Sequence, residues 1–339
     1  MKRILIVKVT SLGDIVETQP VVSDLRRAFP SAKIDWAADA AFADIIRWNP
    51  AVDRVLSAPL RKFKKARSWS DLKDIAASIG DLRAEKYDAV LDIHGVYKSA
   101  IIAFLARGRR RYGYKNKDLG ELGAAFAYNE RFGPRPRTDA WRGMRVSVAD
   151  ALGYTFEETP DFNLHLPPLA EPFAALALLQ GAPIAMLFHA TSADEKKWPI
   201  ERWAETGRSL TARGYRIVLP WGTEGERKEG EQIAALVPGA VVLPKLSVTE
   251  CAYCIDASAL VVGMDTGLVH LAHALGRRTV MIFTATSREH FGIGAPGRSV
   301  SVGDQHAPPD VASVLEAIEG VLAGTTTPSV RTIATGAVS

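Results

Sequence analysis

One stretch of the C-terminal half places Asp, Thr, Gly and His side by side where an apolar run meets a helical pattern. The run predicts a buried strand, and a turn over Gly263–Thr266 should lead into a helix that begins near Gly267. Asp265 and Thr266 suit the N-cap, and His270 lies one turn further along the same face. Because amides at a helix N-terminus attract anions, the stretch predicts a phosphate site for a nucleotide.

A second group of candidate phosphate ligands follows the apolar run Ile184–Phe188. The hydroxyls of Thr191 and Ser192 and the ammonium of Lys196 have the chemistry that a diphosphate needs. Glu226 opens a later helix, where the helix dipole favours a carboxylate in any case. It could equally accept hydrogen bonds from ribose or sugar hydroxyls.

In the N-terminal half, Asp14 follows the first apolar run, and Gly13 before it would allow a tight turn. One interpretation of Asp14 is an N-cap that stabilises its helix by about 1 kcal/mol. The other is a general base that takes a proton from an acceptor hydroxyl. The two interpretations are compatible, and the residue alone does not choose between them.

Two basic clusters stand out against a modest net charge of +4 and a pI of about 9.0. Five of the seven residues in Arg61–Arg67 are basic, and a second cluster covers Arg107–Lys115. Solvated surface charge is the simplest interpretation. Interleaved aromatic residues are also found in RNA-binding surfaces, and an anionic acceptor such as a phosphorylated lipid fits equally well.

Several classes of protein are excluded or disfavoured by what the sequence lacks. Cys251 and Cys254 have C-x-x-C spacing, but no second pair completes a zinc site, so we assign both to a helix over Val248–Ala257. Free thiols favour a reducing compartment. No metal-ligand spacing, Asp-x-Asp pair or P-loop occurs. No secretory leader is visible, and no run approaches the roughly 18 apolar residues of a membrane span.

The elements that must position these residues alternate between short apolar runs and helical stretches. Such alternation predicts parallel sheets covered by helices, and the pattern loosens near Asn129–Pro168 before it restarts. We therefore predict an α/β protein with two doubly wound domains, 1–168 and 169–324, facing a central cleft. Residues 325–339 are expected to be a disordered tail. Ligands of such sheets bind at the carboxyl ends of strands.

Taken together, these motifs resemble the lipopolysaccharide heptosyltransferases of glycosyltransferase family 9, which have the GT-B fold. The resemblance covers nearly the whole chain and is greatest to the members that add the first heptose. The motifs that carry it are Ile6–Lys8 with Ser11–Asp14, Tyr87–Val90 with Gly95 and Lys98–Ala100, His189–Ser192 with Lys196 and Trp198–Pro199, Leu219–Gly222, Leu243–Lys245, and Asp265–Leu268 with His270–Leu271.

The resemblance implies roles for individual residues. Asp14 matches the proposed catalytic base of the family. Positions that match donor-binding residues are Thr191, Ser192, Lys196, Glu226, Leu246, Asp265, Thr266, Gly267 and His270, with Asp265 facing the heptose. Positions expected to meet the acceptor are Arg61, Lys62, Lys64, His94 and Lys98. His94 replaces a glutamine that is common in the family, and this departure concerns acceptor contacts more than the reaction.

The implied reaction is transfer of L-glycero-D-manno-heptose from ADP-heptose to the first Kdo of Kdo2-lipid A, with inversion and without a metal or other cofactor. The implied partners are the donor, the acceptor and, transiently, the inner membrane, for a monomer on its cytoplasmic face that binds no nucleic acid. Alternatives are an enzyme that acts on an already heptosylated core, a non-catalytic protein that binds a nucleotide sugar or RNA, and a nucleotide-sugar epimerase with the same fold.

Overall fold

The computed structural model describes residues 1–58, 68–115, 120–135, 138–169, 171–191 and 193–325. The chain folds into two compact units, Met1–Ala170 and Glu171–Ser339. Within the described residues each unit contains one six-stranded sheet. The predicted α/β class is confirmed. The predicted disordered tail lies outside the described residues from position 326 onward.

The first unit has a parallel sheet with the strand order β3-β2-β1-β4-β5-β6. Its strands are β1 (Arg3–Val7), β2 (Lys33–Asp39), β3 (Arg54–Ala58), β4 (Lys86–Asp92), β5 (Arg107–Gly113) and β6 (Glu130–Arg131). Its helices are α1 (Leu12–Glu17), α2 (Gln19–Ala28), α3 (Ala43–Arg47), α4 (Trp69–Ala84), α5 (Tyr97–Leu105) and α6 (Ala140–Leu152), with short 3-10 helices at Ala40–Phe42 and Ala124–Ala127.

The second unit repeats the same topology, with the strand order β12-β11-β10-β7-β8-β9. Its strands are β7 (Ile184–Phe188), β8 (Arg216–Leu219), β9 (Val241–Val242), β10 (Leu260–Met264), β11 (Thr279–Phe283) and β12 (Ser299–Gly303). Its helices are α7 (Ala174–Ala177), α8 (Ile200–Ala212), α9 (Glu224–Leu236), α10 (Val248–Asp256), α11 (Gly267–Ala274), α12 (Arg288–Phe291) and α13 (Val311–Ala323), with a 3-10 helix at Asp194–Lys196.

Both sheets reverse their winding direction beside their first strand. In the first unit the reversal lies between β1 and β4, and in the second unit it lies between β7 and β10. Doubly wound sheets bind ligands in the crevice at the carboxyl ends of such strands. The segments that follow these four strands contain Asp14, His94, Lys196 and Asp265. The topology therefore brings most of the sequence-predicted site residues to the two switch points.

Buried strand residues hold these edges in place. In the second unit, Leu187 and Val262 on adjacent strands belong to one apolar cluster with Trp203 of α8 and Ile318 of α13. All four side chains are at most 1% exposed. Fully burying a side chain of this size contributes about 1.5–3 kcal/mol, so the strand ends are rigid supports for the loops that follow.

The sequence after the first apolar run predicts a single helix over Val16–Ala28, and the structure corrects this prediction. The chain instead forms α1 and α2, which are separated at Thr18. Pro20 lies in the first turn of α2 and has no amide proton to continue a helix from α1. The Thr18 hydroxyl bonds to the carbonyl oxygen of Asp14 at 2.7 Å. Gly13 lies inside α1 and not in a turn.

The second basic cluster, Arg107–Lys115, is also corrected, because most of it is β5 and lies between β4 and β6. Its arginines serve local structure. The guanidinium of Arg111 donates to the carbonyl oxygen of Ala127 at 2.8 Å, and Arg110 lies over the ring of Tyr112. Most of the cluster is thus a strand of the sheet, in which Arg107 and Arg109 remain exposed.

The prediction for the cysteine pair is confirmed. Cys251 and Cys254 lie in α10, and both are free thiols and buried. Burial raises the pKa of Cys254 to about 12, so its thiolate is scarce at neutral pH. Among the described residues, none of the helices combines the length and the apolar character that a membrane span requires.

Candidate active site

In the first unit, Asp14 lies in the first turn of α1 and forms an ion pair with Lys8. The Lys8 ammonium is 2.7 Å from Oδ1 of Asp14. Oδ2 accepts hydrogen bonds from the Ser11 amide at 3.0 Å and the Ser11 hydroxyl at 2.9 Å. Ser11 is therefore the N-cap and Asp14 the third helical residue, which corrects the expectation that Asp14 caps the helix.

This environment determines the charge of Asp14. Burial by itself raises the pKa of the carboxyl, but the Lys8 ammonium and the Ser11 amide outweigh burial and lower the pKa to about 2. Burial also lowers the pKa of Lys8, against the opposing charge of Asp14. Asp14 is consequently a carboxylate at any physiological pH, and its side chain remains 31% exposed. It can accept a proton from a group that approaches its exposed side.

His94 follows β4 and lies beside this ion pair. The Val9 amide donates a hydrogen bond to Nδ1 of His94 at 3.3 Å. Burial and the nearby Lys8 lower the pKa of His94 to about 3, so the ring is neutral at physiological pH. Because Nδ1 accepts, this pattern assigns the proton to Nε2. The role predicted for His94 with the acceptor is therefore that of a neutral hydrogen-bond donor.

Asp92, which sequence reasoning missed, organises the turn that carries His94. It is fully buried at the end of β4, and it accepts hydrogen bonds from the Tyr128 hydroxyl at 2.7 Å and the Gly95 amide at 3.1 Å. Gly95 has φ of +79°, a conformation that favours glycine. Burial raises the pKa of Asp92 to about 6. The available signal was a carboxylate within the apolar run Ala89–Ile93, which predicts a strand.

Only some of the cations predicted to bind the acceptor belong to the part of the chain that the structure describes. Lys98 lies in the first turn of α5 and is exposed. Arg61, Lys62 and Lys64 lie outside the described residues. Of the five predicted acceptor-binding residues, His94 and Lys98 therefore belong to the described part of the chain.

In the second unit, Asp265 follows β10 and gathers three side chains. Its Oδ2 is 3.2 Å from the Lys196 ammonium and accepts a hydrogen bond from the Thr286 hydroxyl at 2.7 Å. Its Oδ1 is 3.4 Å from Nε2 of His270. Burial raises the pKa of Asp265, but the hydrogen bonds and the Lys196 charge outweigh burial and lower the pKa to about 2. Residues that sequence reasoning assigned to separate motifs thus share one polar centre.

Two threonines after β11 support this centre, and sequence reasoning gave them no role. Thr286 bonds to the carboxylate of Asp265, and the Thr284 hydroxyl donates to the backbone carbonyl of Lys196 at 2.8 Å. One threonine thus holds the side chain of the aspartate, and the other holds the backbone of the lysine. The signal was their place after a buried strand of the same sheet.

The turn into α11 is shorter than predicted. Gly263 and Met264 belong to β10, and the turn is only Asp265 and Thr266. A Cβ on Gly263 would lie 2.4 Å from Val269 and 2.7 Å from Phe188, so glycine permits α11 to approach the sheet. Thr266 is the N-cap of α11, although its side chain makes no capping hydrogen bond to the helix. The expectation that Asp265 could also be the N-cap is thereby corrected.

The start of α11 keeps the features of an anion site. Gly267 is the first helical residue, and the helix is eight residues long. Amides of a first helical turn have no partner inside the helix and carry the positive end of the dipole. The Lys196 ammonium contacts the carboxylate of Asp265, the residue before the N-cap, and so lies near this end of the helix. The combination is suited to a diphosphate.

The loop after β7 includes Thr191, Ser192 and Lys196. The Thr191 hydroxyl donates to the carbonyl oxygen of Ala193 at 2.6 Å and shapes the loop before the 3-10 helix that ends at Lys196. Ser192 lies outside the described residues. The structure therefore gives a position to two of the three predicted ligands.

Glu226 forms a capping box with Thr223 at the start of α9, which bears out the simpler interpretation of its carboxylate. Its Oε2 accepts the Gly222 amide at 2.6 Å. The buried His189, at the end of β7, has Nε2 2.9 Å from the carbonyl oxygen of Glu226. Leu246 lies half-buried in the loop between β9 and α10. Contact of Glu226 and Leu246 with a nucleotide stays a prediction.

Among the described residues, no group of three or more His, Cys, Asp or Glu side chains has the arrangement of a metal site. Lys196 and the start of α11 supply positive charge at the second switch point.

Comparison with known proteins relates this geometry to an established group. A sequence profile of glycosyltransferase family 9 (heptosyltransferase) matches residues 75–313. Lipopolysaccharide heptosyltransferase 1 of Escherichia coli K12 is 34% identical over 287 residues, 84% of this chain and 88% of the relative. The protein of the same name from Pseudomonas aeruginosa PAO1 is 33% identical over 305 residues, 88% of this chain and 82% of the relative.

A solved structure described as E. coli heptosyltransferase WaaC with ADP superposes with a TM-score of 0.79 at 30% sequence identity. The match covers 95% of this chain and all of the other. The GT-B type of fold, expected from the sequence, is thereby confirmed.

Proposed function

The chain belongs to glycosyltransferase family 9 and is a glycosyltransferase, and from this premise we propose that it transfers L-glycero-D-manno-heptose from ADP-heptose to the first Kdo of Kdo2-lipid A. Heptose transfer in lipopolysaccharide synthesis is supported by the names of the relatives. The donor half of the proposal is supported by the ADP in the similar WaaC structure.

The observation that carries this proposal is a matching placement of charge in the two units. Each sheet has an aspartate–lysine pair at its switch point: Lys8 and Asp14 both follow β1, whereas Lys196 follows β7 and Asp265 follows β10. Only the second pair adjoins the start of an eight-residue helix. The first pair suits proton transfer and the second suits a nucleotide diphosphate.

In the proposed reaction, the acceptor hydroxyl oxygen attacks the anomeric carbon while the bond from that carbon to the ADP oxygen breaks. Asp14 takes the hydroxyl proton, and ADP leaves with the bonding electron pair. Attack opposite to the leaving group inverts the anomeric centre. With a pKa of about 2, Asp14 is a weak base, so proton transfer occurs late, when the hydroxyl oxygen has become acidic through bond formation.

The leaving ADP gains negative charge in the transition state. Lys196 and the first-turn amides of α11, beginning at Gly267, would stabilise this charge because they are fixed donors aimed at an anion. On this proposal the enzyme needs no metal or other cofactor. Asp265 would exchange its contact with Lys196 for hydroxyl groups of the heptose.

We further propose that the enzyme works as a monomer that touches the cytoplasmic face of the inner membrane, where a lipid-linked acceptor would be found, and that it binds no nucleic acid.

The test is release of ADP from ADP-heptose with and without de-acylated Kdo2-lipid A, in the presence of a chelator. We expect release that depends on the acceptor and persists under chelation. Release only with an already heptosylated core would assign the enzyme to a later transfer. Release that requires a divalent ion would overturn the metal-independent mechanism. No release with either acceptor would contradict the proposed reaction.

A further inference from the structure

Helix α5 has apolar side chains on both of its faces. The inner face packs on the first unit through the buried residues Ser99, Ala100, Ile102 and Ala103. The outer face carries Tyr97, Ile101 and Phe104, which are 48%, 48% and 54% exposed. The spacing of four and then three residues places these three side chains in one stripe along the helix.

The segment near the 3-10 helix Ala124–Ala127 extends this stripe into a patch. The rings of Phe104 and Phe126 have centroids 5.8 Å apart, and Phe126 is 54% exposed. The Tyr97 hydroxyl donates to the carbonyl oxygen of Leu122, whose own side chain is 78% exposed. We call Tyr97, Ile101, Phe104, Leu122 and Phe126 the outer patch.

Single exposed apolar residues are ordinary, but a contiguous set of five large ones is a typical mark of an interaction surface. A helix that is apolar on both sides normally has a partner on both sides. Tyrosine and phenylalanine side by side are also typical of surfaces that enter the interface between lipid headgroups and acyl chains.

The rim of the outer patch is mainly basic. Lys98 lies on α5 itself, and Arg131 reaches the carbonyl oxygen of Ala125 at 3.1 Å. At the other end of α5, Arg83 donates to the carbonyl oxygen of Leu105 at 2.9 Å. Arg107 is bonded in turn to the backbone of Arg83 at 3.2 Å.

These four cations are exposed. A carboxylate, Glu121, also lies at the rim, where it accepts the Tyr97 amide at 2.6 Å. The rim is therefore positive on balance, which complements the negative surface of a membrane that contains anionic lipids.

We propose that the outer patch and its basic rim dock on an anionic lipid bilayer. This inference rests on the proposed function, because an acceptor with acyl chains is held in a membrane and the enzyme must reach it there. Helix α5 begins three residues after His94, so the docking surface starts where the predicted acceptor site ends. The apolar side chains enter the headgroup region, and the cations contact lipid phosphates.

The test uses the double variant Ile101→Glu with Leu122→Glu. Both side chains are already exposed, so the folded unit tolerates the change, while the two carboxylates oppose entry into an anionic bilayer. The matched control is Leu236→Glu at the end of α9, whose leucine is 48% exposed like Ile101. Sedimentation with vesicles of phosphatidylethanolamine and phosphatidylglycerol measures binding directly.

We expect the double variant to bind these vesicles at least about tenfold more weakly, with the control unchanged. Salt should weaken binding of the parent protein, since screening acts on the rim. Activity on vesicle-embedded Kdo2-lipid A should fall in parallel, while activity on the de-acylated acceptor should not change. That second activity also reports that the variant is folded.

Equal vesicle binding by the double variant and the parent protein would overturn the proposal. So would a parent protein that forms a dimer through the outer patch, detected as a change of mass in the variant by sedimentation velocity. Failure of the proposed function has a different signature, because the parent protein would then be inactive even on the de-acylated acceptor while vesicle binding could be intact.

Discussion

Each unit has an aspartate–lysine pair at the switch point of its sheet, but the two pairs differ in how firmly they are held. Lys8 is six residues from Asp14, its side chain is 4% exposed, and the contact is 2.7 Å. Lys196 and Asp265 come from different strands of their sheet, the lysine is 25% exposed, and the contact is 3.2 Å. The first pair is fixed, and the second can exchange partners.

The difference indicates two uses of one interaction. A buried lysine beside a carboxylate favours the charged form of that carboxylate, because the lysine itself cannot turn to water. A half-buried lysine can leave its aspartate at little cost when an anion arrives. We therefore expect changes in the first pair to affect turnover and its pH dependence, and changes in the second pair to affect nucleotide binding.

The largest effect is expected from Asp14→Asn, which keeps the shape of the side chain and removes the proposed base. Turnover should fall by about 10²- to 10⁴-fold, while ADP affinity should not change because the donor site lies in the other unit. Asp44→Asn makes the same change in the first turn of α3 and should leave turnover intact. Steady-state kinetics with the de-acylated acceptor measure this effect. Turnover equal to that of the parent protein in the Asp14→Asn variant would show that Asp14 is not the base.

The next effect is the loss of phosphate binding in Lys196→Met, which keeps the apolar stem and removes the charge. A charge-assisted hydrogen bond contributes about 1.5–3 kcal/mol, so ADP should bind about 10- to 100-fold more weakly by calorimetry. The control is Lys197→Met. That lysine is paired with Asp194 at 2.8 Å and Glu229 at 2.6 Å. Unchanged ADP affinity in the first variant, or equal loss in both, would move the phosphate site elsewhere.

A subtler difference is expected from Lys8→Met, which leaves Asp14 in place without its counter-ion. Burial raises the pKa of Asp14 and Lys8 opposes it, giving a pKa of about 2. Without Lys8 the pKa rises, so the acidic limb of kcat/KM should move to higher pH. The variant Lys98→Met keeps the Lys8–Asp14 contact and should keep the limb. A pH profile identical to that of the parent protein would show that Lys8 does not tune Asp14.

The same ion pair contributes to stability. The folded-state pKa of Asp14 lies below its ordinary value, so its stabilisation is present above about pH 4 and is lost as pH falls towards 2. Asp265 behaves alike, with a pKa of about 2. The free energy of unfolding of the parent protein, measured with denaturant, should fall between these pH values. The fall should be smaller in the Lys8→Met variant.

The sequence predicted the frame of these sites better than their contacts. Strand β7 is found over the predicted run Ile184–Phe188 because that run is continuously apolar and has clear ends. Strand β5 was missed because the arginines of Arg107–Gly113 hide its alternation. Its backbone pairs with β4 and β6 whatever the side chains are.

The contacts within the two sites depend on residues far apart in the chain or on burial. Lys196 and Asp265 are 69 positions apart, and the topology predicts the same edge for them but not a bond. Lys8 is a charged residue after a strand, and no hydropathy pattern indicates that such a lysine is buried. Asp92 was overlooked for a similar reason, since a carboxylate at a strand end is usually expected to face solvent.

The smallest expected effects come from two threonine variants, which distinguish the support of the Asp265 side chain from the support of the Lys196 backbone. Thr286→Val removes one hydroxyl bond to the carboxylate, which is worth about 1 kcal/mol, and should raise the KM for ADP-heptose about fivefold with ADP affinity unchanged. Thr286→Ser should restore the parent value. Thr284→Val removes the bond to the Lys196 carbonyl and should weaken ADP itself. If both valine variants changed the affinity for ADP and the KM for ADP-heptose by the same factor, the two threonines would act as one support. The partner exchange inferred for Lys196 would then lose its structural basis, because aspartate and lysine would move as a unit.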